Sequence, residues 1–436
     1  MADRPAAVPK DAEAPTMRLA LNFPRVDPTK GGAETYIVDL CRGLLRRGHS
    51  VDLYTGSWAE GALPAEVRCV RVESAGRTRS EQIAAFADAS AALLKDADYD
   101  CTVGFINTYE HDVIIPQGGV HGGSLRANSM RFANPLLRRL YVLGKVMNPK
   151  HWTYRAIENR QYDPARGARV VAVSRMVAGH LQEFNGVPKG RIRVVPNAID
   201  PDRVLVPQPG ATRAAFRSKV GLAPGELVGL FVGHNYALKG LEPLIRGLAA
   251  RNGPGARPIK LLVCGGGRPG WYRRLAEKLG VGDAVHFLGF HDDVRECYWA
   301  SDFFVSPTYY DPCSLVVFEA LACGLPVVTT ACNGASELMA HGRQGFVLSA
   351  PGATGELVAA LDALADDACR AALSAEATKL GRAWTFDRHV EALAKVFEEV
   401  AAGKRKLPGP HAPRRRSDRR TNARTNRNAT HGRGNA

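Results

Sequence analysis

The chain has 436 residues, 45% hydrophobic and 23% charged, with a formal net charge of +15, enough to build two core-forming domains. Collagen-like, disulfide-scaffold and wholly disordered proteins are excluded by that composition. No apolar run reaches membrane-span length, and the opening MADRPAAVPKDAEAPT is polar and Pro/Ala-rich where a secretory signal would be apolar, so the sequence reads as cytoplasmic.

In chain order, RLALNF after Met17 is a short β-type run ending at Pro24, followed by the turn-forming loop RVDPTKGGAE. A helix is predicted from Glu34 to Arg47 because Ile37, Leu40, Cys41, Leu44 and Leu45 recur at helical spacing, with Gly48 stopping it before a strand over Val51–Tyr54. Gly31 and Gly32 stand at that helix start, where they either bring amides to an anion or make a plain turn. The alternation continues with a helix over Ser80–Leu94, strands over Cys101–Phe105, Val113–Ile115 and Val170–Val173, and Ser174 as a helix cap. Between His121 and Gln161, eight Lys/Arg (Arg126, Arg131, Arg138, Arg139, Lys145, Lys150, Arg155, Arg160) face one acid, Glu158, and alternate with Phe132, Leu136, Leu140, Trp152 and Tyr154. Helices of this kind either lie on an anionic bilayer or pack on their own domain with a solvated basic face.

After RIRVVPNAID and a Pro/Gly-rich break at 196–210 the pattern begins afresh. Strands are expected over Leu227–Val232, Lys260–Cys264, Val285–Leu288, Phe303–Ser306 and Val327–Thr329, alternating with helices over Leu241–Ala250, Trp271–Leu279, Val294–Ala300 and Leu315–Ala322. Two such runs predict an α/β protein of two Rossmann-like, doubly wound domains facing across a cleft, with ligands at the carboxyl ends of the strands. The expected division is a flexible segment over 1–16, domains over 17–205 and 206–385, a helix over 386–403 returning toward the first domain, and a tail over 404–436. That tail carries eleven Lys/Arg against Asp418 and few apolar residues; it is predicted disordered, as a solvated extension or one that binds nucleic acid or anionic lipid. Nine cysteines with no C-x-x-C pair and no zinc spacing read as reduced and mostly buried.

The densest chemistry lies in Tyr309-Tyr310-Asp311-Pro312-Cys313-Ser314-Leu315-Val316-Val317-Phe318-Glu319, a strand-to-helix junction. Unbonded amides near Ser314, Leu315 and Val316 suit a phosphate. Glu319, one turn into the helix, and Asp311, ahead of it, can accept hydrogen bonds from hydroxyls, so the pattern suits a ligand built as hydroxyl, diphosphate, hydroxyl. The loop Gly233-His234-Asn235-Tyr236-Ala237-Leu238-Lys239-Gly240 follows LVGLFV, and Lys239 reads as a diphosphate counter-charge or a solvated cap. Gly265, Gly266 and Gly267 make a tight turn beside the site. Asp98-Tyr99-Asp100 spells acid-x-acid but precedes a strand and reads as a turn.

In order and spacing, GGAE before a helix, VVAVS followed by RIRVVPNAID, VGHNYALKG and DPCSLVVFEALACGLPVVTT resemble glycosyltransferase family 4, the retaining transferases of GT-B fold, over residues 17 to about 400. The resemblance implies that Glu319 holds the ribose hydroxyls and Lys239 the diphosphate. Asp311 stands where the family has a glutamate toward the donor sugar, one methylene longer. His234 stands where an arginine is usual. The resemblance also implies that Gly289-Phe290-His291 borders the base, that the helix start at Cys313 to Val316 and Gly31 and Gly32 reach the donor phosphates, and that His121, in VHGG, lies near the reacting centre unless it is a hydrogen-bonded loop histidine. The missing arginine and the basic aromatic stretch over 126–160 look closest to bacterial lipopolysaccharide core glucosyltransferases, which touch the inner membrane through such an insertion. The function implied is retaining, metal-independent transfer of a hexose from a nucleotide sugar, UDP-glucose or similar, to a glycan or lipid-linked glycan, by front-face attack. A nucleotide-sugar epimerase of the same architecture and an inactive basic adaptor for membrane or nucleic acid are the rival readings.

Overall fold

The computed structural model describes residues 16–205, 209–253, 255–291 and 293–406; of the tail expected over 404–436, residues 404–406 instead continue the last helix, where Lys404 and Arg405 pair with Asp112 and Asp100, and the rest of the tail and nearly all of the first segment lie outside the described residues. The first half runs β1 (Arg18–Asn22), β2 (Arg25–Val26), α1 (Gly32–Arg46), β3 (Ser50–Thr55), β4 (Ser57–Trp58), β5 (Arg68–Arg71), α2 (Arg79–Leu94), β6 (Cys101–Gly104), β7 (Val113–Ile114), α3 (His121–Ser129), α4 (Pro135–Val146), α5 (Pro149–Gln161), β8 (Arg169–Ala172), α6 (Arg175–Asn185) and β9 (Ile192–Val194). The second half runs α7 (Pro209–Lys219), β10 (Leu227–Val232), α8 (Leu241–Arg251), β11 (Ile259–Cys264), α9 (Gly270–Lys278), β12 (Val285–Gly289), α10 (Arg295–Ala300), β13 (Phe303–Ser306), α11 (Leu315–Ala322), β14 (Val327–Thr330), β15 (Gly345–Leu348), α12 (Thr354–Ala365), α13 (Asp367–Ala383) and α14 (Phe386–Lys406).

These elements form two parallel sheets, ordered β5-β3-β1-β6-β7-β8-β9 and β12-β11-β10-β13-β14-β15, besides a small β2-β4 pair. The inner strands are nearly continuous apolar runs, as burial on both faces by crossover helices requires. Besides the short β2 and β4, three strands of the large sheets were not predicted, β5, β9 and β15, all at sheet edges, where RCVR and IRV keep charged residues and the apolar run shortens. Chain order reverses direction beside β1 in the first sheet and beside β10 in the second, so each sheet has a switch point, between β1 and β6 and between β10 and β13. The loops leaving β1, β10 and β13 carry Gly31, Lys239 and Asp311.

Several sequence features settle into structural roles. Ser174 caps α6, its Oγ accepting from the Val177 amide at 3.2 Å. Asp100 accepts from the Arg18 amide at 2.9 Å and pairs with Arg405 at 2.7 Å; the turn expected at Asp98-Tyr99-Asp100 falls instead at Lys95 and Asp96, and 98–100 leads into β6. All nine cysteines are free, five of them buried. α14 returns to the first domain and packs Val390 against Gly43 of α1, where a methyl would come within 2.7 Å of Val390 Cγ2. Buried His389 lies at that crossing between Tyr36 Oη (2.8 Å) and the Pro196 carbonyl (2.7 Å); desolvation pushes its pKa down to about 4, so the ring is neutral and both nitrogens are used. Among the described residues no helix is long and apolar enough to cross a membrane.

Candidate active site

Both switch points open onto one cavity of about 750 Å³. Gly31 and Gly32 line it from the first domain; His234, Lys239, Phe290, His291, Asp311, Cys313, Ser314, Leu315, Val316 and Glu319 line it from the second. The α1 and α11 starts approach so closely that a methyl on Gly32 would lie 3.2 Å from Leu315 Cδ1. Two helix N-termini therefore converge on the same space, and among the described residues the Leu315 and Val316 amides have no protein acceptor. The Ser314 amide differs from the expectation: it is directed to Asn333 Oδ1 at 3.4 Å, so it is partly committed.

Lys239 and Asp311, expected to contact different parts of a ligand, form an ion pair with each other, with side chains 23% and 11% exposed. Lys239 is the only lysine or arginine among the described residues lining the cavity. It passes over Gly233, where an added methyl would meet its Cγ at 3.0 Å, and the α8 start that follows depends on Gly240, whose φ of +79° a side chain would strain. Gly265, at φ +123°, lies so close to the Gly233 carbonyl that a methyl would overlap it, which explains the glycine turn. His234 Nδ1 accepts from the Gly266 amide at 3.3 Å and its ring stacks on Phe290 at 6.2 Å.

Glu319, one turn into α11, lines the same cavity. Its Oε2 accepts from the buried Tyr298 hydroxyl at 2.7 Å, and desolvation raises its pKa while that hydrogen bond pulls the other way. Its second oxygen is left for an incoming hydroxyl.

His121 is the one selected residue that the structure does not bring to this cavity. It opens α3, its amide donates to Glu158 at 2.7 Å, and its ring meets His151, Nε2 to Nδ1, at 2.9 Å. Desolvation, and secondarily His151, lowers its pKa. As placed it is a hydrogen-bonded histidine between two smaller cavities of about 170 and 350 Å³ in the first domain. Sequence reasoning passed over Gln117 and Asn197, which line the cleft and bond to each other at 3.0 and 3.1 Å, with Asn197 Nδ2 donating to the Cys313 carbonyl at 3.0 Å. Asn197 lies within the RIRVVPNAID motif, but nothing local signals its contact with Cys313, 116 residues on. Among the described residues, no cluster of three His, Cys, Asp or Glu is arranged for a metal ion.

Two parallel sheets with facing switch points, and two helix starts that meet at the cavity between them, make up the GT-B architecture. Residues 226–367 match the family model described as Glycosyl transferases group 1, and residues 30–203 match the Glycosyltransferase Family 4 model. D-inositol 3-phosphate glycosyltransferase 2 of Catenulispora acidiphila is 32% identical over 416 residues, covering 86% of this chain and 94% of that protein. The lipopolysaccharide glucosyltransferase WaaG of Escherichia coli is 27% identical over 321 residues, 74% of this chain and 82% of its own. A crystal structure of WaaG superposes with a TM-score of 0.72 at 25% identity, covering 87% of this chain and 99% of that one. Anabaena HepE shares the fold at a TM-score of 0.63 and 20% identity, over 88% of this chain and all of its own. The chain belongs to glycosyltransferase family 4 and is a glycosyltransferase.

Proposed function

We propose that this enzyme transfers a hexose, with retention, from UDP-glucose or a closely similar UDP-sugar to an anionic glycan or glycolipid. The observation that carries the reading is the cavity itself: one lysine, two converging helix starts and two carboxylates around a space that suits hydroxyl, diphosphate, hydroxyl. Lys239 and the Leu315 and Val316 amides would stabilise the leaving diphosphate without a metal. Glu319 would hold the ribose, Asp311 the donor sugar, and Phe290 and His291 would border the base. The acceptor hydroxyl would attack the anomeric carbon from the face the diphosphate leaves, passing its proton to a departing phosphate oxygen. UDP is supported by the HepE structures, solved with UDP and with UDP-glucose, and glucose by the name of WaaG. Relatives named as transferases weigh against the epimerase and adaptor readings.

For the acceptor, the cavity of about 350 Å³ in the first domain pairs Val142, Val146 and Phe184 with Arg126 and Arg155. Arg126 is held by Glu183 at 2.6 Å, whereas Arg155 forms no close ion pair among the described residues, although Glu158 of the same cavity feels its charge; Arg155 would meet an anionic group there. The inositol phosphate relatives carry such a group in the acceptor their name prints. The experiment is nucleotide release from UDP-glucose, UDP-galactose, UDP-N-acetylglucosamine and GDP-mannose, with a bacterial lipid-glycan extract, with D-inositol 3-phosphate, and with neither. Release from one UDP-sugar that requires one acceptor and is unaffected by EDTA is expected. Release without acceptor that yields an epimerised nucleotide sugar, or none from any donor, would overturn the reading.

The acceptor side would rest on a membrane. α4 buries none of its residues, and Leu136, Leu140, Leu143 and Met147 make one outward stripe at helical spacing, each at least 54% exposed. Trp152 of α5 extends it, its indole donating to the Val146 carbonyl at 2.9 Å. Arg138 bonds to the Phe132 carbonyl at 2.6 Å and helps to seat α4, so Arg139 and Lys145 are the cleaner charges to reverse. Vesicles containing phosphatidylglycerol are expected to bind the protein in a salt-sensitive way. The pair Leu140→Glu and Leu143→Glu should weaken that binding by about tenfold or more, and Arg139→Glu with Lys145→Glu by less. Vesicle binding unchanged in both pairs would remove the membrane from the proposal.

A further inference from the structure

The second domain grips the first through main-chain amides, and the grips flank Asp311. Glu337, in the 3-10 turn Gly334–Leu338, accepts from the Arg175 amide at 2.7 Å and the Met176 amide at 2.8 Å, so a carboxylate of one domain caps helix α6 of the other. With Ser174 taking the Val177 amide, the first three donors of α6 are then satisfied, two of them only while the domains touch. Gly334 allows the approach: a methyl there would stand 2.5 Å from Ser174 Cβ. On the other side, buried Tyr310 accepts the Val120 amide at 3.1 Å and stacks on His180 at 5.7 Å.

Both grips run directly into Asp311. Tyr310 precedes it in sequence, and the turn carrying Glu337 is joined to it by two backbone bonds, Gly334 N–H to the Asp311 carbonyl (2.9 Å) and Asp311 N–H to the Cys332 carbonyl (3.0 Å). Opening the cleft would strip Glu337 and Tyr310 of their partners and leave the α6 amides without acceptors, so the closed form gains charge-assisted hydrogen bonds that an open form lacks. We infer that Glu337 and Tyr310 are positioning residues that couple domain closure to the placement of Asp311, so that the transfer geometry is assembled only when the cleft is shut. This rests on the donor-site reading for the role of Asp311; the clasp itself rests on the amide contacts.

The test uses the full chain carrying Glu337→Ala, Glu337→Gln or Tyr310→Phe. Three quantities are measured: kcat with UDP-glucose and its acceptor, the affinity for UDP, and the radius of gyration by small-angle scattering. Glu337→Ala is expected to lower kcat by about tenfold or more while UDP affinity stays within about twofold, with an expanded particle. Glu337→Gln, which keeps an acceptor oxygen, should recover part of kcat and of the compaction, and Tyr310→Phe should fall between it and the parent. A kcat equal to the parent, an unchanged radius of gyration, or a rate loss that follows melting temperature and returns on cooling would overturn the clasp. Failure of UDP to bind the parent protein would instead overturn the donor-site reading, and the scattering comparison would still decide the clasp.

Discussion

Replacing Lys239 by methionine is expected to reduce transfer by about 10²- to 10³-fold, because it removes the one lysine or arginine lining the donor cavity among the described residues. Charge develops on the leaving diphosphate as the anomeric bond breaks, and amide dipoles alone would then have to meet it. The substitution also leaves Asp311 as a carboxylate 11% exposed with its partner gone, so stability should fall too. Combining Lys239→Met with Asp311→Asn separates the effects: the melting temperature should recover while the rate does not. Initial rates and melting curves on the two variants and the parent check this. A rate within about fivefold of the parent for Lys239→Met would show that the diphosphate is neutralised elsewhere.

Glu319→Ala is expected to weaken UDP binding by about 10- to 100-fold, the loss of the charge-assisted hydrogen bonding that its free oxygen would give the ribose. Its pH signature is more specific. Desolvation raises the pKa of Glu319, and only the carboxylate can accept from a hydroxyl without giving up an oxygen to its own proton. UDP affinity should therefore fall on acidification, beginning at a higher pH than an exposed glutamate would set. In Glu319→Gln that inflection should be gone. Tyr298→Phe removes the hydrogen bond that opposes the desolvation, so it should move the inflection to still higher pH. The sign for folding is the reverse of the usual carboxylate case. A raised pKa means that the folded state binds the proton more tightly than the unfolded one, so this group favours stability at low pH and costs stability as pH rises through its folded value. Calorimetric UDP titration across pH on these variants decides it. An inflection that persists in Glu319→Gln would assign the titration to another group.

Much of this architecture was legible in one dimension. Strands such as LVGLFV and the helix around Leu40 and Leu44 are set by local periodicity and by turn residues, which act within a few positions whatever the rest of the chain does. The edge strands β5 and β9 were not legible, because exposure on one side lets charged residues dilute the apolar signal, and β15, GFVL, is a four-residue run too short to announce itself. The segment from Asp311 to Glu319 identified itself because a helix start and both carboxylates fall within nine residues of chain. His121 shows the opposite case: VHGG after a strand marks a loop at a strand end, but which way the imidazole turns depends on His151, thirty residues away.

By itself, then, the sequence determined the two-domain parallel architecture, the strand-end loops that carry the chemistry and the residue types able to meet a diphosphate between hydroxyls. Only the tertiary structure decided that Lys239 pairs with Asp311, that Asn197 reaches the Cys313 carbonyl, that α4 turns its leucines outward, and that Glu337 caps a helix of the other domain. Those contacts join residues 72, 116 and about 160 positions apart, and their energies depend on distance and desolvation in space, which no local pattern encodes.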